Sequence, residues 1–131
     1  MLKQPIIPKR PLVLLVDDDA NATAALAETL VGEGYDVTCL IDSQAVKNWL
    51  VSGTDPAMII AEHLQSNATT NLAAWGQSNK VPVIVVTSSP DQAKAAFRER
   101  GLSVPIFCKP LLLGAMLEWI RKFVVPNSTS C

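Results

Sequence analysis

Four clusters of polar side chains each follow an apolar run in this sequence. The clusters are Asp17 to Asp19, Glu62 with His63, Thr87 with Ser88, and Lys109 with Pro110. Carboxylate oxygens together with water suit Mg²⁺, whereas a hydroxyl and an ammonium group suit phosphoryl oxygens. If one edge of a fold brings the clusters together, they form a small acidic pocket with the chemistry of metal and phosphoryl binding.

The apolar runs before these clusters predict the elements that position them. Strands are expected at 12–16, 36–41, 57–61, 81–86 and 104–108, and helices at 21–33, 44–51, 91–100 and 111–124. The stretch 62–80 is polar and shows helical spacing only at 72–75. A third helix in this stretch is therefore expected to be short or irregular.

Strands that alternate with helix-length segments are typical of an α/β fold, in which helices cover both faces of a parallel sheet. Five strands in 131 residues suit a flavodoxin-like three-layer sandwich with strand order 2-1-3-4-5. In such sheets ligands bind outside the carboxyl ends of the strands, near the switch between strands 1 and 3. The four polar clusters all follow strands, so this fold would bring them to one edge.

Length and charge narrow the classes of function. The 131 residues predict one domain at 11–124, with a lead-in at 1–10 and a polar tail at 125–131. Lys and Arg number 11 against 12 Asp and Glu, a net charge of −1, so no basic excess indicates nucleic-acid binding. No apolar run approaches the roughly 18 residues of a membrane-spanning helix, and the N-terminal stretch lacks the apolar part of a signal peptide. We therefore expect a cytoplasmic protein with no membrane partner.

Cysteine usage agrees with that location. Cys39, Cys108 and Cys131 cannot all pair with one another, and none has CxxC spacing. The first two lie in apolar runs that predict core strands. A reducing compartment is therefore expected.

Over residues 11–124 the chain resembles the receiver domain of bacterial two-component response regulators, the CheY-like family. The resemblance rests on the stretches 13–19, 82–88 and 107–110. It implies that the acidic pair Asp17 and Asp18 holds Mg²⁺; in that family an aspartate at the end of the third strand accepts a phosphoryl group from a histidine kinase. Thr87 and Lys109, with Ser88 beside the threonine, would then bind the phosphoryl oxygens.

Three features depart from the family pattern. Glu62 stands where the phosphoacceptor Asp is expected, and its extra methylene moves the carboxylate by about 1.5 Å, a displacement to which in-line phosphoryl transfer is sensitive. Ile106 holds the place of the family's aromatic switch residue. Phe107 should point to the opposite face of the strand, into the core. The loop at 63–67 lacks the family's Met-Pro-Gly style turn.

These departures favour an atypical receiver, or pseudo-receiver, that is not an enzyme and acts by protein–protein interaction without Asp phosphorylation. Glu62 is expected to reach Lys109 and to mimic the phosphorylated state in part, because a carboxylate and an ammonium stabilise each other's ionised forms. Two outcomes stay open for the metal. A weak Mg²⁺ site would use Asp17, Asp18, Glu62 and the backbone carbonyl of Leu64. Alternatively, Lys109 neutralises the acidic pair.

Other interpretations also stay open. One alternative is a working receiver in which Glu62 itself is phosphorylated. Another is a small flavodoxin-like cofactor-binding protein, although the Asp-rich loop after the first strand lacks a phosphate-cradling turn. Taken singly, each residue also has a simpler explanation. Asp17 to Asp19 could form a turn that caps the first helix, the Thr87 hydroxyl could hydrogen-bond to the backbone, and Lys109 could be a surface lysine. His63 is most simply a solvent-facing loop residue.

A signalling role needs a docking surface. The resemblance implies that partners, such as a histidine kinase or an output domain, contact the face formed by the fourth helix, fifth strand and fifth helix. Lys94, Arg98 and Arg100 make that face basic, and Leu111 and Leu113 add apolar area. The same face could instead form a homodimer. It could also be an ordinary solvent-exposed helix face whose apolar residues simply pack into the core.

Overall fold

The computed structural model describes residues 10–53, 55–62, 68–109 and 113–123. Strands and helices alternate along these residues. The strands are β1 (Leu12–Val16), β2 (Asp36–Leu40), β3 (Met58–Glu62), β4 (Val83–Thr87) and β5 (Ile106–Cys108). The helices are α1 (Ala20–Gly32), α2 (Ser43–Leu50), α3 (Ala68–Asn79), α4 (Pro90–Glu99) and α5 (Leu113–Phe123).

All strand pairings in the sheet are parallel, and the strand order is β2-β1-β3-β4-β5. β1 lies between β2 and β3, so that Leu14 pairs with Thr38 on one side and with Ile59 on the other. The switch in strand order therefore falls between β1 and β3. The predicted α/β flavodoxin-like fold with order 2-1-3-4-5 is confirmed.

Two apolar layers hold the helices on the sheet. Successive residues of a strand point to opposite faces, so Leu14 and Ile59 lie in one layer while Val13 and Ile60 lie in the other. The first layer packs against α2, α3 and α4, and the second packs against α1 and α5. Because the central strands are buried on both sides, their sequences are continuous apolar runs rather than alternating ones.

α3 is the largest departure from the sequence prediction. The expectation of a short or irregular third helix is wrong, because α3 is a regular helix of 12 residues. Its buried face contains Thr69, Thr70 and Gly76 as well as Leu72 and Ala73. Hydroxyl and glycine positions on the buried face hide the apolar period that would have indicated the helix.

Cys39 and Cys108 correct a second expectation. Both lie in strands, as predicted, but both are exposed and not part of the core. The reason is topological, since β2 and β5 are the two edge strands of the sheet. Cys131 lies outside the described residues.

Apart from α3, the predicted boundaries differ from the observed ones by no more than two residues. β1 begins and ends as predicted, and β3 extends one residue further, to Glu62. Residues 1–9, 54, 63–67, 110–112 and 124–131 lie outside the described part of the chain, so the lead-in, the tail, His63 and Leu64 stay untested. No helix among the described residues is long and apolar enough to cross a membrane.

Candidate functional site

The carboxyl ends of four strands meet at one edge of the sheet, called the carboxyl edge below. Asp17 follows β1, Glu62 ends β3, Thr87 ends β4 and Lys109 follows β5. The Lys109 N–H donates to the Thr87 carbonyl oxygen at 2.8 Å and so continues the pairing of β4 with β5. These four positions therefore lie at one edge, as the sequence predicts.

Lys109 links two carboxylates across this edge. Its Nζ lies 2.6 Å from Oε1 of Glu62 and 3.5 Å from Oδ2 of Asp17. All three side chains are mostly buried, with exposed fractions of 27% for Lys109, 21% for Glu62 and 16% for Asp17. Partial burial reduces screening by solvent, so these contacts are stronger than ion pairs on an open surface. The expectation that Glu62 reaches Lys109 is confirmed, and Lys109 is not an ordinary surface lysine.

The acidic run after β1 has a structural task as well. Oδ1 of Asp17 accepts a hydrogen bond from the Asp19 N–H at 2.8 Å, and Oδ1 of Asp19 accepts one from the Asn21 N–H at 3.0 Å. The Asp19 carbonyl oxygen accepts a further bond from the Thr23 hydroxyl at 2.8 Å. Asp19 thus stabilises the start of α1, which is the capping role left open by the sequence, while Asp17 both shapes this turn and contacts Lys109.

The three contacting groups shift one another's pKa values. Burial, followed by the neighbouring Asp17 carboxyl group, raises the pKa of Glu62 to about 7 against the opposing effect of Lys109. Burial alone would raise the pKa of Asp17, but the neighbouring Glu62, the Asp19 backbone N–H and the charge of Lys109 lower it. Burial would lower the pKa of Lys109, but Glu62 and Asp17 raise it. Near neutral pH the cluster therefore contains charged Lys109, charged Asp17 and a Glu62 close to its titration midpoint.

The same edge has the donor chemistry of a magnesium site. Asp17, Asp18 and Glu62 each bring one carboxylate oxygen within 4.8 Å of the others. Oε2 of Glu62 is buried and has no hydrogen-bond partner among the described residues, so a proton or a cation would satisfy it. An all-oxygen set completed by water fits Mg²⁺. Lys109 already neutralises part of the acidic charge, which fits weak rather than tight binding.

The remaining predicted site residues are placed as follows. Thr87 is buried, and its hydroxyl oxygen accepts a hydrogen bond from the Ser89 N–H at 2.9 Å. This is the backbone-bonding role that the sequence left open. Ser88 is exposed. Ile106 is half-buried against the α2–α3–α4 layer, whereas Phe107 packs on the other layer, where its ring meets Trp119 edge to face at 6.2 Å. The predicted opposite orientation of the two residues is confirmed.

Two features of the site gave no signal in the sequence. The Thr69 hydroxyl donates to the Glu62 carbonyl oxygen at 2.9 Å and ties the first turn of α3 to the end of β3. A cavity of about 50 Å³ also lies beneath the cluster. Besides Asp17, Glu62 and Lys109, it is lined by residues of the α1 side of the core, among them Thr23 and Leu26. Both features depend on residues distant in sequence, which no local pattern brings together.

Comparison with curated proteins gives a partial match. No protein-family model matches the sequence. The transcriptional regulatory protein CpxR of Escherichia coli (strain K12) is 32% identical over 76 residues, which cover 58% of this chain and 33% of CpxR. CpxR of Shigella flexneri matches to the same extent. The chain thus spans about a third of the length of these curated relatives.

Solved structures match over most of the chain. A response regulator receiver protein from Pseudomonas putida has a TM-score of 0.72 at 27% identity, covering 88% of this chain and 99% of that one. The signal receiver domain of an HD domain-containing protein from Pseudomonas fluorescens Pf-5 has a TM-score of 0.72 at 25% identity, with 92% and 91% covered. The response regulator protein TrrA from Thermotoga maritima, solved in complex with Mg(2+)-BeF, shares the fold at 18% identity and a TM-score of 0.70, with 87% and 99% covered.

The sheet order and the acidic carboxyl edge define the class of protein, a flavodoxin-like domain of the CheY type. Within that class, the chain is similar over most of its length to a solved response regulator receiver protein and to a solved signal receiver domain.

Proposed function

We propose that this domain is a pseudo-receiver, which transmits signals by binding partner proteins and does not cycle through phosphorylation of an aspartate. The contact of 2.6 Å between Nζ of Lys109 and Oε1 of Glu62 carries the proposal. Lys109 is the cation expected to bind a phosphoryl group, and a carboxylate of the same chain already neutralises it. Glu62 in turn ends β3 where an aspartate acceptor is expected.

Glu62 would act as a built-in, partial substitute for a phosphoryl group. When ionised, its carboxylate carries one negative charge and two oxygens, fewer than a phosphoryl group presents, so the substitution is incomplete. Ile106 supports a fixed state, because an aliphatic side chain packed against the core takes the place expected for an aromatic switch. The surface that partners meet would therefore be set by the fold and not by a phosphorylation cycle.

Magnesium has a secondary place in this proposal. Asp17, Asp18 and Glu62 would hold the ion weakly, with water completing its shell. When bound, the ion would supply positive charge beside the carboxylates. Lys109 supplies such a charge without it.

Intact mass after incubation with acetyl phosphate and Mg²⁺ tests the proposal. We expect no phosphoryl adduct on the native chain and an adduct on a Glu62→Asp variant, whose shorter side chain restores the expected acceptor position. An adduct on the native chain would overturn the proposal in favour of a working receiver phosphorylated on Glu62. Absence of an adduct on both chains would show that the pocket itself does not support the transfer, and signalling would then depend on the outer faces alone.

The substitution of Glu62 for a phosphoryl group has a separate test. Binding of an identified partner is compared between the native chain and Glu62→Ala, without a phosphodonor. Weaker binding by the variant is the expected result, since the carboxylate that engages Lys109 is lost. Unchanged binding would rule out the substitute role and leave the pseudo-receiver proposal in place.

Partners are proposed to be proteins of a signalling pathway, a histidine kinase or an output domain, that dock on the face of α4, β5 and α5. Lys94 and Arg98 are exposed on this face. Arg100 is less available than expected, because its guanidinium donates to Thr70 at 3.0 Å and to Asn71 at 2.7 Å. Self-association through this face and the cytoplasmic location both stay predictions from the sequence.

A further inference from the structure

We propose that the domain has a separate binding site, at the end of the sheet opposite the carboxyl edge, for a small uncharged aromatic molecule. The site is a cavity of about 440 Å³ where β4 and β5 begin, called the apolar cavity below. Its volume lies within the range of pockets that hold small ligands. None of its described lining residues belongs to the carboxyl edge, so this site goes beyond the proposed function and does not depend on it.

Four parts of the chain build the walls of the apolar cavity. Ala73 and Gln77 come from α3, residues 81–83 lead into β4, residues 103–105 lead into β5, and Trp119 comes from α5. Walls contributed by separate elements suit a compact molecule, whereas an extended peptide needs a continuous groove or a free strand edge. The occupant is therefore expected to be a small molecule and not a segment of a protein.

The lining of the cavity selects against charge. None of the described lining residues is an Asp, Glu, Lys, Arg or His. Apart from the indole N–H of Trp119, the only polar side chains among them belong to Gln77 and Ser103, both of which are exposed. A charged ligand would lose hydration here without gaining a counter-charge, whereas a neutral ligand with one or two hydrogen-bonding groups could use Gln77 and Ser103.

The backbone around the cavity is largely satisfied and adds flat apolar surfaces. Pro82 and Pro105 have no N–H, and their carbonyl oxygens each accept a hydrogen bond of 2.9 Å, one from β3 and one from β4. The Val81 N–H donates to the Gly76 carbonyl oxygen at 2.8 Å. The two proline rings and the indole of Trp119 therefore dominate the surface that a ligand meets, and a planar ring packs well against such surfaces. These features favour an aromatic ligand.

Contacts among its own walls position the cavity before any ligand binds. Gly76 lets α3 approach β4 so closely that a Cβ at this position would lie 2.5 Å from Cγ2 of Val83. The ring of Trp119 is held edge to face against Phe107 of β5, with 6.2 Å between the ring centroids. Gly101 adopts φ +67° in the turn that leads from α4 towards β5. Walls that are already in place lower the cost of ordering on association, which favours binding of a small ligand.

A matched pair of fluorescent probes tests the site on the full chain. N-phenyl-1-naphthylamine is neutral and aromatic, and 8-anilino-1-naphthalenesulfonate is the same ring system with an added sulfonate. Both probes become brighter in apolar surroundings. We expect the neutral probe to bind with a Kd on the order of 10–100 µM, and the sulfonate to bind at least about tenfold more weakly. Absence of binding by the neutral probe, or equal binding of the two probes, would overturn the inference.

Variants beside the cavity show where the neutral probe binds. Ser103→Trp and Gln77→Trp each add a large ring from an exposed position. Because the ring occupies volume that the probe needs, each variant should weaken binding at least about tenfold without lowering the melting temperature. Ser52→Trp, which adds the same ring in the exposed turn after α2, is the matched control and should leave binding unchanged. Equal binding by all three variants would place the probe elsewhere and contradict the proposal.

Nuclear magnetic resonance spectra locate the probe independently of these variants. N-phenyl-1-naphthylamine should shift the amides of residues 77–83 and 101–105 and the indole N–H of Trp119, and should leave the indole N–H of Trp49 in α2 unchanged. Shifts confined to the carboxyl edge would overturn the inference. A concentration-dependent dimer that is lost in Ser103→Trp would also overturn it, since a second copy of the chain would then cover the cavity.

Discussion

Glu62 occupies a position where one methylene group changes which groups are within contact distance. Its Oε1 lies 2.6 Å from Nζ of Lys109, and its Oε2 is buried without a hydrogen-bond partner among the described residues. The two oxygens of one carboxylate are thus in different states, one satisfied by a cation and one not. Burial, followed by the nearby carboxylates of Asp17 and Asp18, raises the pKa of Glu62 above that of an exposed glutamate, although the contact with Lys109 acts in the opposite direction.

Stability should report the titration of Glu62. Its pKa is about 7 in the folded protein against 4.5 for the free side chain, so the folded state binds more protons than the unfolded state between these values. Stability contributed by this group is therefore present below about pH 4.5 and is lost as the pH rises through 7. In EDTA, the unfolding free energy of Glu62→Gln relative to the native chain should rise by on the order of 2 kcal/mol from pH 5 to pH 8. A difference that is flat over this range, measured by urea unfolding, would contradict the raised pKa.

Lys109 should compete with magnesium for the same carboxylates. Lys109→Met removes the ammonium and leaves Asp17 and Glu62 facing each other, which we expect to cost about 1–3 kcal/mol at pH 8 without metal. Mg²⁺ should then raise the melting temperature of the variant more than that of the native chain. Lys47→Met, at an exposed site, is the control. It should neither destabilise the domain nor alter the response of the melting temperature to Mg²⁺. An equal response of Lys109→Met and the native chain to Mg²⁺ would contradict binding of the ion at this cluster.

At the scale of elements, α3 depends on a close approach to the sheet. A Cβ at Gly76 would lie 2.5 Å from Cγ2 of Val83 and 2.8 Å from the Val81 carbonyl oxygen. The Val81 N–H also donates to the Gly76 carbonyl oxygen at 2.8 Å, so the helix and the strand that follows it are held together here. Glycine is therefore required by packing, although it is a poor residue for a helix interior.

Gly76→Ala should consequently destabilise the domain by about 1–3 kcal/mol, because the backbone oxygen cannot move aside as a flexible side chain can. Gly114→Ala is the matched control. It also lies in a helix, but a Cβ there meets nothing within 4 Å, so alanine should be neutral or stabilising by up to about 1 kcal/mol. Thermal unfolding of the two variants measures the difference. Equal effects at both positions would show that helix propensity, and not packing, decides the outcome.

At the scale of the whole molecule, the sheet separates two unlike ends. The carboxyl edge carries the acidic cluster with Lys109, and the opposite end carries the apolar cavity of about 440 Å³ lined by residues of α3, β4, the chain before β5, and Trp119. A ligand at one end changes the other only if it binds two conformations of the domain with different affinity. A cluster already closed by its own ion pair gives a phosphoryl analogue little such preference.

Beryllium fluoride with Mg²⁺ should therefore leave the amide spectrum of the native chain unchanged outside the carboxyl edge. The same reagents should shift amides of β5 and α4 in Glu62→Asp, where the acceptor is shortened. Mg²⁺ alone on both chains is the control. Shifts that spread through α4 of the native chain would show that the domain still switches, contrary to the proposed fixed state.

The sequence by itself determined the order of the elements and the composition of the acidic cluster. Continuous apolar runs such as 12–16 predict central strands, because a strand buried on both faces needs an apolar side chain at every position. Once the strands are parallel, residues that follow them must share an edge, so the contact between Glu62 and Lys109 could be predicted.

Only the tertiary structure decided features that depend on the identity of a neighbour. α3 was hidden because Thr69, Thr70 and Gly76 are buried by contacts with distant residues and not by their own hydrophobicity. Cys39 and Cys108 are exposed because their strands lie at the sheet edges, a property of strand order that no local pattern contains. The apolar cavity at the opposite end of the sheet likewise forms where the last turns of α3, the residues around the starts of β4 and β5, and Trp119 of α5 meet in space.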